Sequence, residues 1–286
     1  MTPGRDISRL VAPALCGRKH WLIGIQNLAT PLPDTPNFDE KHHFLLRKLH
    51  SLTGIVPIGV FLIEHLLTNS LAAGWASSKP GPERFNEAVR GIHNLPYLWA
   101  LELFGIFLPL AFHALYGVKI ALTARPNARE YPYMANRRFT LQRVTGYVAL
   151  IFIVVHLLKF RFAHVVGWGP DFLDPENADK FAITQNGLMH WHIAQFNLTV
   201  PAWITLSFYL LGLAASVFHF ANGIWTFCIS WGITIGAQAQ RKMGYACAAV
   251  GIVLFLWGGM SLYAFAKAKP PDKPPGAVAI QQIDKE

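Results

Sequence analysis

Five long apolar stretches limit the folds open to this chain of 286 residues. They cover about 49–73, 97–123, 144–160, 200–235 and 244–266. Four of them have about 20 residues or more, enough to cross a hydrocarbon layer of about 30 Å, and the third reaches that length only with its flanks. Backbone groups in lipid must be satisfied internally, so helices are expected. The sequence predicts an all-α integral membrane protein with five transmembrane helices, the first four forming a bundle.

Composition agrees with a membrane protein and excludes several other classes. Charged residues make up 14% of the chain, against about 25% in soluble domains. The net charge of +9 does not indicate nucleic acid binding, because no separate basic soluble domain is present. The three cysteines are scattered, with no CxxC or CxxCH motif: Cys16, Cys228 and Cys247. The pattern excludes c-type haem attachment and gives no support for cysteine-ligated zinc or iron–sulfur sites.

The chain divides into three parts by composition. Residues 1–43 are polar and proline-punctuated and are predicted to form a cytoplasmic N-terminal extension. Residues 44–266 are the transmembrane domain, in which Pro57 is expected to kink the first helix. The fourth apolar stretch is over-long and is expected to include a loop or a bent end. Residues 267–286 form a Pro- and Lys-rich tail, which is predicted to be disordered.

Loop charges predict the orientation in the membrane. Residues 124–143 contain five arginines and one glutamate, whereas the loop at about 161–199 is acidic. By the positive-inside rule the arginine-rich loop is cytoplasmic. The N-terminus is then cytoplasmic, and after five spans the C-terminus lies on the outer side of the cytoplasmic (inner) membrane. The positive charge of the tail argues mildly against that location.

A repeat relates the first two apolar stretches to the next two. The motif Leu-x-x-x-Thr-Gly begins the first and third stretches, at Leu49 and Leu141, and each copy is followed by a histidine deep in the stretch. The second and fourth stretches contain Phe-His-x-x-x-Gly, beginning at Phe112 and Phe218. The first four helices therefore form two copies of a helix pair, with a fifth helix added.

Helix direction and depth sort four histidines into two pairs. With a rise of about 1.5 Å per residue, His65 and His156 lie roughly 20 Å along helices that enter from the cytoplasm. Both are in the outer half of the membrane. His113 and His219 occur late in helices that run the other way, so they share the inner half. These depths favour the pairing of His65 with His156 and of His113 with His219.

Haem b bound by two histidines would use such pairs, because it needs two imidazoles on facing helices across a slot. Space for the ring is available at Gly54, Gly59, Gly117, Gly146 and Gly223, of which Gly117 and Gly223 lie one turn after His113 and His219. Any single histidine is better explained as a hydrogen-bonded core residue, and proton relays also use intramembrane histidines. Four histidines at matched depths favour haem. Zinc ligands usually cluster more tightly and include cysteine or carboxylate.

Four long segments closely resemble the membrane cytochrome b subunit of succinate:quinone oxidoreductases, of the single-chain, five-helix, two-haem kind. They are RKLHSLTGIVPIGVFLIEHLLTNS, LELFGIFLPLAFHALYGVKIA, LQRVTGYVALIFIVVHLL and SVFHFANGIWTFCISWGIT. The resemblance covers about 44–266. It implies two haems b, with His65 and His156 as axial ligands of the outer haem and His113 and His219 as ligands of the inner haem.

The resemblance also implies partners and a role. A flavoprotein subunit with covalent FAD carries the dicarboxylate chemistry, and an iron–sulfur subunit passes electrons to this chain; both dock on the cytoplasmic face. The chain would then be the electron-transfer and quinone-binding subunit, anchored in membrane lipid. Electrons would reach a quinone near the outer face, and the two-haem kind implies menaquinone.

Two further sets of residues are candidates for binding roles. Charge-assisted donors to haem propionates at the cytoplasmic ends of helices are Arg47, His50 and Arg143, although arginines there also snorkel to the interface. A quinone site needs a proton donor or acceptor near the ring oxygens. The candidates near the outer face are Glu64, His93 and Glu102.

Other functions remain open at this stage. One is the anchor of a fumarate reductase that oxidises quinol. Another is a dihaem anchor of a different oxidoreductase, such as formate dehydrogenase or nitrate reductase, whose helix motifs differ. A transporter or proton channel lined by the same histidines belongs to another class, and the sequence shows no buried carboxylate or basic pathway across the middle to support it.

Overall fold

The computed structural model describes residues 38–75, 77–124, 133–175 and 179–268. Side chains are described in these ranges except at 38–41 and 135. Most of the predicted N-terminal extension and nearly all of the predicted tail therefore lie outside the described residues. So do Cys16 and the basic residues Arg125 and Arg129.

Five helical stretches in the described ranges are long and apolar enough to cross a membrane. These first to fifth spans are His42–Ala73, Leu98–Thr123, Asn136–Lys159, Ala202–Ser230 and Ala237–Lys267. The prediction of five spans is confirmed, and the third does obtain its length from its N-terminal flank. The fourth ends at Ser230 and is followed by a turn in which Gly232 adopts a φ of 73°, so the over-long apolar stretch did include a loop.

The first span is interrupted near its middle, as predicted from its proline. Helix α1 covers Phe38–Ile55 and helix α2 covers Pro57–Ser70, followed by a 3₁₀ turn at Leu71–Ala73. Pro57 stands at the first position of α2, where its missing N–H removes no helical hydrogen bond. Val56 joins the two helices and keeps a hydrogen bond from its own N–H to the Leu52 carbonyl, 2.9 Å long.

The second and third spans each contain π-helical turns. After a short helical turn α4 (Leu98–Ala100), residues Leu101–Phe107 are π-helical and lead into α5 (Leu108–Thr123). Helix α6 (Met134–His156) continues as a π-helical segment, Leu157–Arg161, where the Phe162 N–H donates to the Leu157 carbonyl at 2.9 Å. Such wide turns are rare in proteins, and those that occur are often found at functional sites.

The described connections at one end of the spans contain short helices and a hairpin. They contain α3 (Gly81–His93), α7 (Ala163–Val166), α8 (Lys180–Met189) and a two-stranded antiparallel hairpin of β1 (Trp191–Ile193) and β2 (Leu198–Val200). Asp179 caps α8 by accepting a hydrogen bond from the Ala182 N–H at 3.0 Å. Among the described residues the hairpin's two three-residue strands are the exception to an otherwise helical fold. We call this the hairpin end of the bundle and the opposite end, with the arginines, the basic end.

The spans pack around two clusters of buried apolar side chains. Helix α9 (Ala202–Ser230) packs on α6 and on α10 (Ala237–Lys267), and α10 also packs on α2. One cluster joins these spans through Leu66, Leu213, Val217, Phe220 and Leu254. The other lies towards the hairpin end, where Phe85 of α3 and Phe181 of α8 meet Phe265. Many large apolar side chains of the spans are exposed, as expected of helices that face hydrocarbon.

Candidate functional site

Two of the predicted ligands meet in the basic half of the bundle. His113 of α5 and His219 of α9 have ring centroids 6.1 Å apart, with planes at 89°. Two imidazole nitrogens bound to one metal atom at about 2 Å each place their ring centroids about 6 Å apart. The separation therefore suits two axial ligands of one metal ion.

Backbone carbonyls hold both of these imidazoles in one orientation. His113 Nδ1 lies 2.9 Å from the His50 carbonyl oxygen, and His219 Nδ1 lies 2.9 Å from the Gln142 carbonyl oxygen. A carbonyl only accepts, so each Nδ1 carries the proton and each Nε2 keeps its lone pair. Histidines that bind metals show this arrangement. His50 and Gln142 occupy the same position in the two Leu-x-x-x-Thr-Gly motifs, which explains the repeat.

The glycines of the same motifs lie against the two imidazole rings. A Cβ atom added at Gly146 would lie 3.0 Å from His219 Cε1, and one added at Gly54 would overlap the His113 ring. Gly117 and Gly223, predicted as clearance for a macrocycle, instead face His50 and the Gln142 side chain. Each motif thus supplies one carbonyl and one glycine to a histidine of another helix.

A hydrogen-bonded chain of side chains supports the His219 half of this pair. Arg138 Nε donates to Asn222 Oδ1 at 2.9 Å, and Asn222 Nδ2 donates to Gln142 Oε1 at 2.8 Å. Gln142 Nε2 in turn donates to the His219 carbonyl at 3.0 Å. The Arg138 guanidinium also stacks over the Trp225 ring, 4.0 Å from its centroid. The buried Asn222 connects these groups and leaves none of its side-chain polar atoms unpaired.

Of the three propionate candidates, His50 lies at the pair itself. Its ring stacks on His113 with a centroid distance of 4.1 Å and an interplanar angle of 10°. His50 Nδ1 is buried and has no hydrogen-bond partner. Arg47 is exposed, and the Arg143 guanidinium lies over the Phe139 ring at 4.2 Å.

The second predicted pair lies in the half of the bundle towards the hairpin end. His65 of α2 and His156 of α6 have ring centroids 5.7 Å apart, with planes at 80°. His156 Nδ1 is buried and makes no hydrogen bond. The rings of Phe152, Phe160 and Tyr209 surround His156. Among the described residues no group of three or more His, Cys, Asp or Glu could hold a metal ion, so each site offers two protein ligands.

The structure brings two of the three quinone-site candidates together. Glu102 accepts a hydrogen bond from Arg161 Nη2 at 2.9 Å, and both residues lie on the π-helical segments. Burial lowers the pKa of His93, and so do the charges of Lys180 and Arg161, while Glu102 opposes them. Glu64, by contrast, is exposed and accepts a hydrogen bond from Thr68 on its own helix at 2.6 Å.

Two functional candidates went unrecognised in the sequence. Arg161 is the partner of Glu102, and Lys159 is a buried lysine, 4% exposed, whose Nζ makes no hydrogen bond. Lys159 Nζ lies over the Trp191 ring, 4.1 Å from its centroid. Their position could have indicated a role, because they follow His156 by three and five residues, inside or directly after an apolar span.

Fold and site together define a polytopic helical membrane protein with two facing pairs of histidines at two depths. No family model matches the chain. The chain is 40% identical to the succinate dehydrogenase cytochrome b558 subunit of Bacillus subtilis (strain 168) over 222 residues. This alignment covers 78% of this chain and 96% of that protein. The chain belongs to the family of succinate dehydrogenase cytochrome b subunits.

Proposed function

We propose that the chain is the dihaem membrane anchor of a succinate dehydrogenase and passes electrons from an iron–sulfur subunit to a quinone. The observation that carries this proposal is the pairing of His113 with His219 and of His65 with His156, at separations of 6.1 and 5.7 Å between ring centroids. The relative's name, a cytochrome b558 subunit, supports haem b as the group bound between the members of each pair.

The residues of the basic half fit an axial-ligand site closely. His113 and His219 present lone pairs on Nε2 because their Nδ1 protons are held by the carbonyls of His50 and Gln142. His50 offers an unpartnered ring nitrogen as a donor to a propionate, and Arg47 and Arg143 of the same end are the further propionate candidates.

The residues of the hairpin half fit as well, in a more apolar setting. Aromatic rings contact both histidines: Phe61 lies against His65, and Phe152 and Phe160 lie against His156. The buried and unpaired His156 Nδ1 is a polar atom for which the described residues supply no partner. Two haems, when bound, supply one-electron carriers at two depths of the membrane.

Glu102 and His93 are the proposed proton-handling groups of a quinone site near the hairpin end. Quinone reduction needs protons at the ring oxygens, and a carboxylate near the membrane surface delivers them. Arg161 orients the Glu102 carboxylate through their ion pair. The proposed quinone is menaquinone, in keeping with the two-haem kind. Glu64 is the weaker candidate, because it is exposed and its carboxylate is bound by Thr68 of its own helix.

The basic end is the proposed docking face for the flavoprotein and iron–sulfur subunits. Two of its cations are engaged within the chain: Lys48 Nζ donates to the Ser230 carbonyl and Arg138 pairs with Asn222. Among the described residues of this end, four exposed cations are proposed to contact the partners: Arg47, Arg137, Arg241 and Lys242. In this orientation the N-terminal extension (1–43) is cytoplasmic and the tail (267–286) lies outside the cytoplasmic membrane.

Purification of the assembled complex with this chain tests the proposal. We expect two low-spin haems b per chain in reduced-minus-oxidised spectra, and reduction of haem on addition of succinate. A complex without haem would contradict the proposal and favour a histidine-lined transporter. Reduction by quinol and oxidation by fumarate, with no response to succinate, would indicate the fumarate reductase direction instead.

The quinone site has its own test in Glu102→Gln. Loss of a general acid–base group lowers rates by roughly 10²–10⁴-fold, so we expect quinone reduction to fall by about 100-fold or more. Haem content and succinate oxidation with a water-soluble electron acceptor should not change. Glu83→Gln, at an exposed glutamate of α3, is the matched control. Unchanged quinone reduction in Glu102→Gln would exclude this carboxylate.

A further inference from the structure

Lys159 is a buried cation without a counter-charge in the described part of the chain. Its side chain is 4% exposed, and its Nζ makes no hydrogen bond. The Trp191 ring lies beneath Nζ at 4.1 Å from the centroid. Ring contact offsets only part of the cost of burying an ammonium group. A lysine within a membrane protein is expected to face an interior cavity or a partner, and the described residues supply no acceptor for this one.

Three other described cations at the hairpin end have acceptors. Arg161 is paired with Glu102 at 2.9 Å. Lys180 Nζ donates to the Asp174 carbonyl at 2.7 Å. Lys79 is exposed and pairs with two glutamates of α3. Lys159 therefore differs from its neighbours in being both buried and without a hydrogen bond.

Lys159 is one of three buried hydrogen-bond donors in this region that have no acceptor among the described residues. Lys159 follows His156 by three residues, within one turn along the helix axis, and the two side chains are close enough to interact electrostatically. Tyr209, whose ring lies 5.8 Å from that of His156, has a buried hydroxyl without a partner. Trp191 Nε1 is also buried and unpaired. Three buried donors without partners thus lie near His156 or near one another: Tyr209 contacts His156, and Trp191 contacts Lys159.

We propose that Lys159 binds a propionate carboxylate of the haem held by His65 and His156, with Tyr209 and Trp191 as neighbouring donors. This inference rests on the proposed function. A carboxylate neutralises the buried ammonium, whereas a quinone carbonyl satisfies a hydrogen bond and leaves the charge unbalanced. The positive charge also stabilises the reduced state of that haem, because reduction adds an electron nearby.

Redox titration of Lys159→Met in the assembled complex tests the inference. At a fixed ambient potential, we expect the ratio of reduced to oxidised haem at the His65–His156 site to fall about tenfold, which is 59 mV for one electron. The haem at the His113–His219 site should keep its potential. Lys159→Arg retains the charge and should retain most of the potential. Lys79→Met removes the same charge from the exposed surface of the same end, and should change neither haem.

The outcomes separate this inference from the proposed function. Two haems with unchanged potentials in Lys159→Met would overturn the role of Lys159 and leave the dihaem proposal standing. A shift at the His113–His219 site, or a change confined to quinone reduction, would also overturn it. Loss of the haem in Lys159→Met with retention in Lys159→Arg supports it. Loss in both variants would overturn it, because the effect would then come from packing and not from the charge. Absence of haem from the unaltered complex would instead refute the proposed function.

Discussion

Replacement of Gly54 by alanine is expected to weaken the haem site in the basic half without unfolding the bundle. The new methyl group would overlap the His113 ring, which lies directly against α1 at this position. His113 must then move, and its Nδ1 must leave the His50 carbonyl, now 2.9 Å away. The substitution therefore acts on an axial ligand through a residue that has no polar side chain of its own.

The size of the effect follows from three opposing contributions. Alanine in a helix interior is favoured over glycine by about 1 kcal/mol. Overpacking of a filled site costs about 1–3 kcal/mol, and the lost hydrogen bond costs about 0.5–1.5 kcal/mol. The net cost is roughly 0.5–3.5 kcal/mol. Because about 1.4 kcal/mol corresponds to a factor of ten, haem affinity at this site should fall about 2- to 300-fold.

Haem content of the purified complex and its reduced-minus-oxidised spectrum measure this effect. Gly54→Ala should lose most of one haem and keep the other. Gly146→Ala should act in the same direction but more weakly, since its Cβ would lie 3.0 Å from the His219 ring. Gly259→Ala is the control, because nothing lies within 4 Å of its added Cβ. Two unperturbed haems in Gly54→Ala would refute the assignment of this contact to the site.

Three further substitutions give simple expectations. Asn222→Ala leaves its two side-chain partners unpaired and should destabilise the complex by roughly 1–3 kcal/mol in thermal unfolding. Burial lowers the pKa of His93 in the folded protein. The free energy of unfolding therefore has a contribution from neutral His93 that is present above about pH 6.5 and is lost as the pH falls below that value. His93→Gln should flatten this pH dependence in unfolding measured from pH 7 to 5. Leu254→Ala, in a filled cluster, should cost about 2–5 kcal/mol, whereas exposed Ile252→Ala should cost little.

Much of the architecture could be predicted from the sequence, because the bilayer allows few solutions. Length and hydropathy were enough for the five spans, and helix direction with a fixed rise per residue was enough to pair His65 with His156 and His113 with His219. The proline break at Val56 followed from covalent geometry. These properties depend on local chemistry and on distances along a single helix axis.

The remaining features depend on contacts between helices, which periodicity does not encode. The Leu-x-x-x-Thr-Gly repeat was visible, but its use was not: only packing shows that Gly54 and Gly146 face imidazoles and that the preceding carbonyls fix them. Lys159 and Arg161 looked like the edge of a loop, since a basic residue after an apolar stretch usually marks the membrane surface. The β1–β2 hairpin was not predicted because each of its strands has three residues, too few to show the alternation of apolar and polar residues that indicates a strand.

Spectra of four single-histidine variants of the complex test the central claim most directly. If the pairs are shared haem sites, His113→Ala and His219→Ala will lose the same haem, seen as the same band and the same redox midpoint in a titration. His65→Ala and His156→Ala will both lose the other one. Loss of different haems from His113→Ala and His219→Ala, or two intact haems in any of the four variants, would contradict the account.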